Sequence, residues 1–89
     1  MFSQETKQLV YEAQNGCCKE PNCIEPIHSF HHKLHDTDYN RRRFPLLIDS
    51  PINCCGLCEK GHRTQQHLFR ITDGEAEVYE EFLRELLEN

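Results

Sequence analysis

The stretch "SPINCCGLCEKGH", Ser50 to His62, holds three cysteines, an asparagine and a histidine. Cys55 and Cys58 are separated by two residues. That spacing lets both thiolates of one short segment reach a single ion. A second pair, Cys18 and Cys23, stands about thirty residues upstream in "CCKEPNC", around the turn residues Pro21 and Asn22. Two such pairs suit tetrahedral zinc, with the ion tying two turns together. Cys17 and Cys54 adjoin these pairs and either pair can slip by one. Otherwise Cys17 and Cys54 read as small buried apolar residues.

Size makes a staple expected. The chain has 89 residues and no tryptophan, so it reads as one domain, 1–89. A domain this small gains little from hydrophobic burial and commonly relies on metal, disulfides or a partner. Disulfides need an oxidising compartment. "MFSQETKQLVYEAQNG" has no basic region followed by an apolar run and does not read as a signal segment. No stretch approaches the roughly 18 apolar residues of a membrane span. The expectation is a cytoplasmic protein with no membrane partner, and zinc in preference to disulfides.

The formal net charge is −5. It is concentrated at one end: Asp73, Glu75, Glu77, Glu80, Glu81, Glu85 and Glu88 face only Arg84 in residues 73–89. The rest is near neutral and carries the cluster Arg41, Arg42 and Arg43. Those arginines read either as phosphate contacts or as a solvated run.

Residues 4–14 predict a helix on Leu9, Val10 and Ala13, stopping at Gly16. "IEPIHSFHHKL" alternates and predicts the first strand of a hairpin. "HDTDYNRRR" reads as a loop. "RFPLLIDSPIN" predicts a second strand or extended segment at Leu46 to Ile48. A helix is expected from near Cys58 to about Phe69. A last acidic helix is expected over about 73–88, capped by Thr72 or Asp73. Its stripe of Tyr79, Phe82, Leu83, Leu86 and Leu87 would pack as core.

His31 and His32 are adjacent in "HSFHH". On a strand neighbouring side chains point to opposite faces, so these two should have different tasks. A neutral imidazole is a suitable general base near neutral pH.

The pair "HH", then Asn53, then "LC" at Leu57 and Cys58, then His62, resembles the HNH endonuclease family over roughly Tyr11 to His67. The resemblance implies an α+β fold: a small ββα-metal core at about 11–70, with a short antiparallel hairpin, flanking helices and a structural zinc. It implies that His31 and His62 hold a catalytic divalent cation such as Mg2+, Mn2+ or Ni2+. It implies that His32 is the general base and that Asn53 pins the loop facing it. Cys18 and Cys23 match the family's first zinc pair. Gly61 stands where the family often has a further cysteine or histidine, so Cys55 is the replacement beside Cys58. Arg41, Arg42, Arg43, Arg63 and His67 are candidate DNA contacts. His67 is about 140° round a helix from His62 and so is not expected as a ligand. His28 and His35 read as ordinary polar residues.

The expected activity is metal-dependent nicking or cutting of DNA, with a possible homodimer. The family analogy adds a larger phage, mobile-element or restriction partner protein. The competing reading is a non-catalytic zinc-bound module for nucleic acid or protein.

Overall fold

The computed structural model describes residues 1–59 and 69–88. Their elements run in the order α1 (Gln4–Ala13), β1 (Ser29–His32), α2 (Asp38–Arg43), β2 (Cys54–Leu57) and α3 (Asp73–Glu88), with a 3-10 turn at Pro51–Asn53. This is a small mixed α+β arrangement around a two-stranded antiparallel hairpin.

Helix α1 starts where Ser3 caps it, its hydroxyl accepting the Thr6 N–H at 3.1 Å. It stops where the sequence suggested. Asn15 and Gly16 both take positive φ, 55° and 72°. The Gly16 N–H returns to the Tyr11 carbonyl at 2.8 Å. At φ 72° Gly16 takes a conformation that most side chains disfavour, and a Cβ there would also fall 2.8 Å from the Tyr11 hydroxyl, so glycine suits the helix end. The next side chain inward, Gln14, ties the helix to the hairpin. Its amide accepts from Gly56 N (3.0 Å) and donates to Gly56 O (3.0 Å) and Cys17 O (2.8 Å).

In the hairpin, Ser29 faces Leu57, Phe30 faces Gly56, His31 faces Cys55 and His32 faces Cys54. Alternation sends the two faces to different neighbours. Cys54 and Phe30 pack with Phe2 and Val10 beside α1. Cys55 and Leu57 pack with Cys18 and Cys58. A third cluster lies under the connection between the strands: Leu34, Phe44, Leu47, Ile48, Ile71 and Ala76, with Tyr79 and Leu83 against it. Full burial of a leucine or isoleucine contributes about 1.5–3 kcal/mol, so Leu47 and Ile48, at 0% and 1% exposure, anchor that connection.

Three expectations change here. The second strand is Cys54–Leu57, not Leu46 to Ile48. The latter residues form a buried turn, because their amides find partners other than a strand. The Glu80 carboxylate takes Leu46 N (3.1 Å) and Leu47 N (2.8 Å), and Ile48 N–H reaches Phe44 O (3.0 Å). The expected loop "HDTDYNRRR" contains α2. Thr37 caps it by accepting the Asn40 N–H at 3.1 Å, and three arginines in the last turn complement its dipole. The stripe of α3 divides: Tyr79 and Leu83 pack inward, whereas Phe82, Leu86 and Leu87 are exposed. Ala76 and Glu80 supply the buried positions instead. The cap of α3 is as expected. Thr72 Oγ1 accepts the Glu75 N–H (3.2 Å) and Glu75 accepts the Thr72 N–H (3.1 Å). Most of the helix expected from Cys58 to Phe69 lies outside the described residues, while Cys58 and Glu59 are not helical.

Candidate metal centre and histidine cavity

The turn between α1 and β1 is a knuckle held by backbone bonds. Cys18 N–H reaches Glu25 O (2.9 Å), Ile27 N–H reaches Gly16 O (3.0 Å), and Lys19 N–H reaches Gly56 O (2.9 Å). Asn22 takes φ 69° at its tip. These bonds bring Cys18 and Cys23 beside Cys58, just past the end of β2. Among the described residues the sulfurs of Cys18, Cys23 and Cys58 all lie within 4.8 Å of one another. The Cys23 and Cys58 sulfurs are 3.9 Å apart. Thiolates bound tetrahedrally at the usual Zn–S length stand about 3.8 Å apart, so the trio fits a metal such as zinc.

The trio lacks Cys55, the fourth member of the expected set. Cys55 sits within β2 opposite His31 rather than on a turn, at 0% exposure, packed in the same cluster. Burial raises its pKa, with Lys33 and Lys19 opposing. Burial also pushes the Cys54 thiol up to about 12, and the neighbouring Cys55 adds to that. Cys54 is therefore an inert apolar residue of the α1-side cluster. For Cys23 the Glu25 backbone favours the thiolate, but burial and the thiols of Cys18 and Cys58 outweigh it and the pKa is raised. A divalent ion relieves that mutual repulsion among thiolates.

The histidines lie on β1. His31 Nε2 is 2.7 Å from the Ser29 hydroxyl, one alternate position away on its own face. His32 belongs to the other face, and its ring stacks on Phe2 with centroids 4.0 Å apart and planes 21° apart. Both reach one cavity of about 260 Å³, lined by Phe30, His31, His32, His35 and Asp36. His35, read as an ordinary polar residue in the sequence, is thus a wall of the cavity.

Asn53 is fully buried. Its Oδ1 accepts the Leu34 N–H at 2.6 Å, and its Nδ2 donates to Leu34 O (3.1 Å) and Ile48 O (3.0 Å). It therefore clamps the segment leaving His32 to the turn ending at Asp49. A buried amide with its hydrogens satisfied in this way fixes both loops.

Asp49 is the residue that sequence reasoning missed. Its Oδ1 is 3.2 Å from His32 Nε2. Arg41 grips the same carboxylate with Nη1 to Oδ2 at 2.9 Å and Nη2 to Oδ1 at 3.2 Å, and holds Asp36 with Nε and Nη2. Partial burial disfavours the Asp49 carboxylate, but Arg41 and His32 outweigh it and lower its pKa to about 2. Position in "LLIDSPIN", four residues before Asn53, was the only available signal.

The candidate DNA contacts fare unequally. Arg41 is engaged with Asp36 and Asp49, and Arg43 with Glu77 at 2.9 Å and Asp73 at 3.6 Å. Arg42 is exposed. His62, Arg63 and His67 lie outside the described residues.

No family model matches the chain, and no curated protein or solved structure matches it. No helix among the described residues is long and apolar enough to cross a membrane.

Proposed function

We propose that this chain is a metal-dependent endonuclease of the HNH type, with a ββα-metal core, that hydrolyses DNA phosphodiester bonds. The observation that carries the reading is the convergence of His31 and His32 on one cavity, beside loops that Asn53 clamps. In this reading His31, with His62, holds a divalent cation such as Mg2+, Mn2+ or Ni2+. The cation, when bound, supplies positive charge where the phosphate oxygens and the leaving oxygen gain negative charge. His32 accepts the proton of the attacking water. Asn53 keeps the His32 segment in place. The thiol trio holds a structural zinc that sets the distance between the knuckle and β2. Arg42, with Arg63 and His67, meets the DNA backbone, an electrostatic contact without sequence reading. The setting is cytoplasmic, acting alone, as a homodimer, or beside a larger phage, mobile-element or restriction protein.

The test is plasmid nicking. With Mg2+ or Mn2+ the wild-type chain should convert supercoiled plasmid to open circle. His32→Ala should lower that rate by at least about a hundredfold while the circular dichroism spectrum stays unchanged. Untouched plasmid with the wild type, and no effect of His32→Ala, would remove the catalytic reading.

A second reading has its own observation. The thiol trio is the group of described residues that fits a metal as it stands, and two of the three arginines in the cluster are occupied by acids. A zinc-stapled binding module would use the same cysteines, with the histidines structural. It predicts DNA or protein binding that survives His32→Ala and no nicking.

A further inference from the structure

We infer that Asp49 is a positioning residue that holds the His32 ring with its proton on Nε2 and leaves Nδ1 as the bare nitrogen. The inference rests on the nuclease reading only for what Nδ1 then does; the placement itself stands on geometry.

Four observations converge. The 3.2 Å contact joins Asp49 Oδ1 to Nε2 of His32. A carboxylate can only accept, so the imidazole nitrogen facing it must donate. The Asp49 carboxylate is not free to turn away, because the Arg41 guanidinium binds both its oxygens and is itself anchored on Asp36. Two parallel N–H bonds of this kind fix direction as well as distance. The ring plane is fixed separately by Phe2, stacked against it. The backbone on both sides is also fixed, since Asn53 bonds Leu34, two residues after His32, and Ile48, one residue before Asp49. A neutral histidine with one nitrogen committed as donor keeps the other as acceptor. In the nuclease reading Nδ1 is therefore the atom that takes the proton from water. Arg41, which looked like a phosphate contact in the sequence, acts one step behind the site, through Asp49.

The experiment uses the full chain labelled with 15N-histidine. Long-range 15N–1H correlation, recorded over a pH series, reads the tautomer of each neutral ring. In the wild type, His32 should carry its proton on Nε2. Asp49→Asn, whose amide can donate as well as accept, should give a mixed or reversed tautomer, and Asp49→Glu should restore the wild-type pattern in part. Asp49 is half-exposed, so these variants should fold. In plasmid nicking, Asp49→Asn should reduce kcat by about tenfold to a hundredfold with KM within about twofold. A His32 proton on Nδ1 in the wild type overturns the inference, and so does an Asp49→Asn variant with tautomer and kcat both unchanged. If the wild type nicks nothing, the nuclease reading falls, and the tautomer alone decides whether Asp49 holds the ring.

Discussion

The two faces of the hairpin are organised by different physics. On one, the knuckle brings three sulfurs together with backbone hydrogen bonds. On the other, His32 is held by a chain of charges, from Asp36 through Arg41 to Asp49, and by a stacked ring. A staple needs ligands that are buried, alike and mutually repelling until an ion arrives. A reactive group needs neighbours that fix its direction while leaving one atom open. The single residue step between Cys54 and Cys55 puts them in separate packing clusters, Cys55 with Cys18 and Cys58, Cys54 with Phe2 and Val10.

That contrast is broken most severely at the knuckle. Cys58→Ser should lose stoichiometric zinc and lower Tm by roughly 10 °C or more, because metal binding in small domains is folding energy. Cys54→Ala should keep its zinc. Metal content of protein purified under reducing conditions, with thermal melts before and after chelation, checks both. Zinc retained in Cys58→Ser would place the ion elsewhere. Cys55→Ser sharpens the picture: lost zinc makes Cys55 a ligand, and retained zinc leaves it as packing.

Asn53 comes next. Asn53→Ala removes the partners of a buried Leu34 N–H and carbonyl and of the Ile48 carbonyl, all inside the 0%-exposed surroundings of that side chain. Unsatisfied buried groups cost about 1–3 kcal/mol each, so a total loss of roughly 3 kcal/mol is expected in urea unfolding. Because the clamp spans the His32 segment and the Asp49 turn, the variant should also blur the His32 tautomer. The zinc content should not change. A fall in zinc together with stability would mean that the two faces are not independent.

The sequence made the first face more legible than the second. Thiol pairs announce themselves by spacing, and Cys18, Cys23 and Cys58 came together as the spacing suggested. Cys55 could not be settled that way, since membership depends on where β2 begins, and the strand begins at Cys54. Leu46 to Ile48 looked like a strand because an apolar run between prolines has no helical period. What decides its path is Glu80, more than thirty residues away, whose carboxylate serves its amides. Arg41 shows the same limit. Three arginines in a polar stretch look solvent-facing until the fold brings Asp49 to one of them. Tertiary pairing of charges leaves no local pattern to read. The two-residue period of a strand sets His31 opposite Cys55 and His32 opposite Cys54, yet both rings line one cavity, which the period alone does not foretell.

The smallest effect tests the second face through pH. Asp49 has its pKa lowered from the usual 3.8 to about 2, so the folded state binds its proton less readily than the unfolded chain does. The resulting stability is present above the unfolded value and is lost as pH falls through about 4 towards 2. Its side chain is 38% exposed, so solvent screening limits the contribution to about 1 kcal/mol or less. Asp49→Asn should therefore be less stable than wild type by a small margin at about pH 5, and that margin should close between about pH 4 and pH 2. Urea midpoints at each pH measure it. Zinc release in acid would confuse the comparison, since thiolates protonate too, so both proteins need the same metal content at each point. A margin that persists at pH 2 would assign the loss to packing, not to the carboxylate's grip on Arg41, His32 and the Met1 ammonium. The charge chain would then be an accessory of the fold and not what holds the histidine.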